Sequence, residues 1–99
     1  MSASLISTDN QNAQLSGELT HHTGAQLLSQ GKRLLDKASG EWVVDLSKVS
    51  RSSSVGVALL LAWKRYAMDK KIDFKINNLP DNMLHVMQFS GLEGVFFSQ

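Results

Sequence analysis

Asp45-Leu46-Ser47-Lys48-Val49-Ser50-Arg51-Ser52-Ser53-Ser54-Val55-Gly56-Val57-Ala58-Leu59-Leu60-Leu61-Ala62-Trp63-Lys64-Arg65-Tyr66 is the stretch on which the reading of this chain turns. Trp42-Val43-Val44, three strand formers, stand just before it. The pattern predicts a buried strand, a serine-rich turn and then a mostly apolar helix. Unpaired N–H groups and the positive end of the helix dipole collect where such a helix starts. That point can receive a phosphate, a carboxylate or a partner's side chain.

Working outward, Ser4-Leu5-Ile6-Ser7 predicts a short first strand and Thr8–Asn12 a polar turn. Ala13–Leu19 alternates apolar and polar residues as a half-buried strand does, so the two segments pair as a hairpin. Gly17 within the strand marks a bulge or a close backbone approach. A helix follows, with Thr23 as its expected N-cap and Leu27, Leu28, Gly31, Leu34, Leu35 and Ala38 as one apolar stripe, and Gly40 stops it. Glu41–Leu46 is the central strand, and its continuous apolar centre predicts cover on both faces.

The second helix, Ser54 to about Asp69, places Val57, Leu60, Leu61, Lys64 and Met68 on one face and Leu59, Trp63 and Tyr66 elsewhere. A helix apolar over so much of its girth is deeply buried or meets a partner. Ile72–Ile76 alternates as a fourth strand. Asp81 caps a third helix from Asn82 to Ser90, with Met83, Val86 and Met87 on its apolar side, and Gly91 closes it. Gly94–Phe97 is the last strand candidate. The expectation is a single α/β domain over residues 1–99, ordered β-β-α-β-α-β-α-β, with a mixed, mainly parallel sheet of about five strands.

Composition narrows the function classes. Ninety-nine residues, 42% hydrophobic and 19% charged, suffice for one folded core and argue against disorder. A net charge of +1 with no basic stripe interleaved with aromatics gives no reason to expect nucleic acid. The chain has no cysteine, which removes thiolate metal sites, disulfides and a cysteine nucleophile, and fits a cytoplasmic location. The N-terminus lacks a secretory pattern, and the longest apolar run, Val55 to Trp63, falls far short of the ~20 residues of a membrane span. Any membrane link is therefore expected through a partner. His21-His22 and His85 read as surface residues, because no carboxylate or cysteine completes a metal set. No Walker, dinucleotide or nucleophile-elbow pattern accompanies Asp45 and the serines, so no cofactor and no catalytic residue is expected.

A strand ending Val44-Asp45-Leu46-Ser47, then Val49-Ser50, a short polar turn, Gly56 and an apolar helix resembles the core of a STAS domain. Leu15-Ser16-Gly17-Glu18-Leu19-Thr20 is similar to that family's second-strand signature, and weaker likeness continues through Ile72–Ile76 and Leu92–Phe96. The family includes anti-sigma-factor antagonists, tails of anion transporters and a small subunit of bacterial lipid-transport ABC systems. In phosphorylated antagonists the serine before the glycine accepts the phosphate. Aligned on Gly56, that position is Val55 and the family's Asp position is Ser53. Ser54 matches the preceding hydroxyl, which is a threonine in the lipid-transport subunits, and Val49-Ser50-Arg51 is similar to their Val-Ser-Arg.

The likeness implies a non-catalytic, MlaB-like subunit of an ABC phospholipid-transport system, cytoplasmic and peripheral to the inner membrane. It would bind the ATPase subunit and, through it, the permease. The alternative it implies is an anti-sigma-factor antagonist that binds a histidine-kinase-like partner and is switched at Ser54 or Ser53. Candidate partner-binding residues are Arg51, Ser52, Ser53, Ser54, Gly56, Trp63 and Tyr66. Structural readings stand beside these: a helix N-cap for Ser53 or Ser54, close packing of Gly56 on the sheet, and a solvated helix face for Lys64 and Arg65, which flank the aromatic pair.

Overall fold

The computed structural model describes residues 3–52 and 54–96. Strands β1 (Ser4–Asp9) and β2 (Asn12–Leu19) form the hairpin, and α1 (His21–Lys37), β3 (Glu41–Ser52), α2 (Ser54–Asp69), β4 (Asp73–Asn77), α3 (Asp81–Phe89) and α4 (Glu93–Phe96) follow. The sheet order is β1-β2-β3-β4, antiparallel between β1 and β2 and parallel for the other two pairs. This is the mixed, mainly parallel α/β architecture the sequence predicts.

Strand β3 departs from expectation in length. The polar run Ser47–Ser52, expected as a turn, stays extended and pairs with Ser16–Leu19. Two register shifts accommodate it, one between Gln14 and Ser16 and one between Gly17 and Glu18. Gly17, at φ 89°, supplies the backbone conformation beside the second shift. Of the expected serine turn, Ser52 ends the strand and Ser54 opens α2.

The cover of the sheet also differs. Chain order moves one strand in the same direction at each crossover, β2 to β3 to β4. Right-handed crossovers in one direction lay both connecting helices on one face. Ala13, Leu15, Leu19, Trp42, Val44, Leu46 and Phe74 point to that face and are buried. Their neighbours Gln14, Val43, Asp45 and Lys75 remain partly or fully exposed on the other. Strand β3 thus alternates, instead of being covered twice.

The core is built on aromatic edges. Trp42 meets Trp63 at 5.4 Å and 80°, and lies at 5.6 Å and 26° from Phe74. Gly31 lets α1 approach this cluster, since a Cβ there would overlap the Trp63 indole. Met83 and Met87 fill the far side from α3, as their spacing predicts.

Helix α1 starts earlier than expected. Thr20 is its N-cap in a reciprocal pair with Thr23, so His21 and His22 lie in the first helical turn with rings 4.0 Å apart. Helix α3 begins from Pro80, leaving Asp81 in its first turn. Its end is a Schellman turn: Leu92 N–H donates to Met87 O at 2.8 Å, with Gly91 at φ 73°.

The segment expected as a fifth strand, Gly94–Phe97, gives instead the single helical turn Glu93–Phe96, with Phe97 outside the described residues. Four residues are too few to fix a period. Leu92 and Phe96, spaced i and i+4, both pack on the core, which is the spacing of one helical face. The sheet of the described residues accordingly has four strands.

Candidate functional site

The end of β3 delivers Arg51 and Ser52 to the start of α2, with Arg51 and Ser54 exposed and Ser52 half-buried. Ser53 lies outside the described residues. The first turn of α2 contains no acidic residue, so its positive end is not neutralised from within. The Asn82 side chain donates to Ser52 O at 3.4 Å, linking the junction to α3. Gly56 is buried, and a Cβ on it would stand 2.5 Å from Ser52 Oγ, 3.1 Å from Met83 Cε and 3.2 Å from Leu19 Cδ1. Its room is therefore filled by this chain's own atoms. Gly56 is a packing glycine that seats α2 on β2 and α3, and not a landing place for a partner's backbone.

Trp63 must also be reassigned. It is 0% exposed, and its Nε1–H donates to Leu28 O at 3.3 Å. Its indole is the centre of the core and cannot meet a partner. Tyr66 is half-buried and fastens α2 to α1, its hydroxyl donating to Asp36 Oδ1 at 2.7 Å. Lys70 Nζ lies 3.0 Å from the same oxygen, and the Lys32 and Lys70 ammonium groups stand 5.4 and 5.5 Å from the Tyr66 ring centre. The Tyr66 hydroxyl and then Lys70 hold the Asp36 carboxyl below the usual carboxylate range. Asp36 in turn raises both Tyr66 and Lys70.

The residues that do face outward are ones the sequence reading left in the background. Along α2, Ser54, Ala58, Leu61, Arg65 and Met68 recur at i, i+4, i+7, i+11 and i+14 and form the outer ridge. Met68 is 62% exposed, and Phe89 on α3 is 95% exposed. The signal was present: Met68 continues the line from Ser54, and Phe89 lies on the opposite side of α3 from Met83 and Met87. Met68, Arg65 and Phe89 are of residue types enriched at protein interfaces.

Asp45, at the end of the apolar part of β3, is engaged by its own neighbours. Asp45 Oδ1 accepts from Ser47 N at 3.0 Å and Asn78 Nδ2 at 2.9 Å, and Oδ2 accepts from Ser47 Oγ at 3.1 Å. Asn78, and then the Ser47 amide, keep this carboxyl below its ordinary range. Its bonds tie the stretch where β3 carries one extra residue against β2. Among the described residues, no three His, Cys, Asp or Glu side chains gather as a metal set.

A four-stranded mixed sheet with α1 and α2 on one face, and with the central strand leading through serines into α2, is the fold of a STAS domain. The chain belongs to the family described as "Mlab, STAS domain", whose profile matches residues 6–97. No curated protein matches the chain.

Solved structures similar to it are anti-sigma factor antagonists. The unphosphorylated form of SpoIIAA superposes with a TM-score of 0.75 at 22% identity, over 97% of this chain and 86% of that one. The phosphorylated form of SpoIIAA, described as a Bacillus cell fate determinant, gives 0.70 at 24% identity, over 97% and 89%. An antagonist from Mycobacterium paratuberculosis gives 0.72 at 21% identity, over 96% and 81%. At these identities the likeness is one of fold.

Proposed function

We propose that this chain is a non-catalytic interaction subunit that binds and supports the ATPase of an Mla-like ABC phospholipid-transport system. It works in the cytoplasm and reaches the inner membrane only through the ATPase and its permease. Membership of the Mlab STAS family supports the choice of system. No helix among the described residues is long and apolar enough to cross a membrane. The observation that carries the docking role is the outward ridge of α2, where Met68, 62% exposed, gains nothing from this fold by facing solvent. Arg51 and Ser54 stand at the head of that ridge and Phe89 is exposed on the next helix, giving a polar rim and an aromatic anchor.

The test is co-expression with the ATPase subunit of an Mla-like ABC system from the same organism, followed by co-elution and measurement of the ATPase rate. Met68→Glu with Phe89→Glu should leave the fold within about 1 kcal/mol of wild type, because both side chains are exposed. The same pair should abolish co-elution. Unimpaired co-elution of the double variant removes the ridge from the interface.

Ser54 favours one second reading. Its hydroxyl is exposed at the start of α2, where a phosphate would meet the helix dipole and oppose an acidic partner. A switch of the antagonist kind would then operate at Ser54, with a histidine-kinase-like anti-sigma factor as partner, since Val55 offers no hydroxyl. Mass spectrometry after incubation with such a kinase decides it: an unmodified Ser54 ends that reading.

A further inference from the structure

Helices α1 and α2 do not close fully on one another. A groove of about 270 Å³ runs between them, lined by Gly24, Ala25 and Leu28 on one side and Val55, Ala58 and Ala62 on the other. It lies below the roughly 300–1,000 Å³ typical of small-molecule sites and is open along its length. Its shape suits a rod and not a compact ligand. The small side chains would let another backbone approach closely.

Charge beyond the lower end of the groove is positive on balance, with Lys32, Arg65 and Lys70 against Asp36 and Asp69. His21 lines its upper end. Lys32, one turn below Leu28, reaches across to Tyr66, and Arg65 follows Ala62 on the same side of α2. Neither helix has an acidic residue in its first turn. The nearest carboxylates further down are Asp36, already taken by Tyr66 and Lys70, and Asp69. A second copy of this chain placed by twofold symmetry would bring Lys32 and Arg65 against cations like themselves.

We infer that the groove between α1 and α2 receives an acidic amphipathic helix of the partner protein. Its apolar face would lie on Leu28, Ala58 and Ala62, and its carboxylates would meet Lys32 and Arg65. The span from His21 to Lys32 is about 16 Å, so about three turns of the incoming helix are engaged. This inference rests on the docking reading above and adds the kind of element that docks.

The experiment uses the isotope-labelled full chain and a synthetic helical peptide of about 15 residues, with an Ala/Leu face flanked by Glu, and the same peptide with Lys for Glu. The Trp63 indole N–H reports on the groove, because it donates to the carbonyl of Leu28. The acidic peptide should shift this resonance and the amides of Gly24 and Ala58. The lysine peptide should bind about tenfold more weakly or less. Reversing the rim with Lys32→Glu and Arg65→Glu should exchange the preference.

Equal binding of both peptides, or of neither, overturns the inference. So does broadening of these resonances with protein concentration alone, which would make the occupant a second copy. Ala25→Glu, an exposed change away from the α2 ridge, separates the two readings. If it blocks the peptide but still co-elutes with the ATPase, the docking reading stands and the ATPase does not use the groove. If wild type takes the acidic peptide but no ATPase, the groove stands and the ATPase reading fails.

Discussion

Gly31→Ala tests the packing that the whole core depends on. In an exposed helix interior this change stabilises, because alanine is better than glycine by about 0.8–1 kcal/mol. Here the new Cβ would overlap Trp63 Nε1 and Cε2 and stand 2.7 Å from Cζ2. The indole cannot retreat, since Trp42 meets it at 5.4 Å and it is fully buried. Overpacking of this kind costs about 1–3 kcal/mol, and displacing Nε1 from Leu28 O leaves a buried donor unpaired for about 1–3 more. After the propensity gain, the net loss is roughly 1–5 kcal/mol, centred near 3.

For a domain of this size that centre corresponds to a fall in Tm of about 12–24 °C. Far-UV circular dichroism on heating measures it, with near-UV dichroism reporting the tryptophan pair. Gly24→Ala is the internal control on the same helix. Its Cβ would meet only Val55 Cγ1, at 3.3 Å, so its effect should stay within about 1 kcal/mol of zero. Equal Tm values for the two variants would refute the claim that α1 approaches α2 by way of Gly31.

Gly56→Ala should destabilise by about 1–2 kcal/mol, read from urea unfolding, because its Cβ crowds Ser52 Oγ, Met83 and Leu19. Lys71 ends α2 at φ 60°, so Lys71→Gly should stabilise by about 0.5–1 kcal/mol while Lys71→Ala gives no such gain. Stability should be flat near neutrality and fall at both extremes. The Asp36, Asp45 and Asp9 carboxyls are held below their usual range, so their contribution is complete above about pH 4 and is lost as pH falls through the lowered values. Lys70, Lys75 and Tyr66 are raised, so theirs is present below about pH 10 and is lost as pH climbs through the raised values. Tyr66→Phe should return the Asp36 titration, followed by NMR, toward that of an ordinary aspartate, because the Tyr66 hydroxyl is the chief cause of its depression.

Periodicity carried most of the architecture. The alternation of Ala13–Leu19 and Ile72–Ile76, the stripe on α1 that includes Gly31, and the core role of Met83 and Met87 were all readable from spacing. What failed to read depends on contacts between distant segments. Trp63 looked like an interface aromatic because its burial is decided by a glycine on another helix. Ser47–Ser52 looked like a turn because its polarity hides a strand held by β2 through two register shifts. The single covered face follows from the direction of the crossovers, which no local pattern encodes. At the candidate site, Arg51 and Ser54 were named from the chain alone, and both are exposed. Leu61, Met68 and Phe89 emerged only once the inward arc of each helix was fixed.

Strands β2, β3 and β4 point the same way, so each releases its helix at one pole of the molecule. The opposite pole is made of return loops stitched to one another: the Gln11 amide donates to Ser39 O at 2.6 Å, and Asp73 N–H to Gly40 O at 2.9 Å. The domain therefore has a blank end. A dye, a surface tether or a fused reporter inserted at Asn10 would hang from that end and leave the opposite pole unobstructed, so the protein can be immobilised in a known orientation.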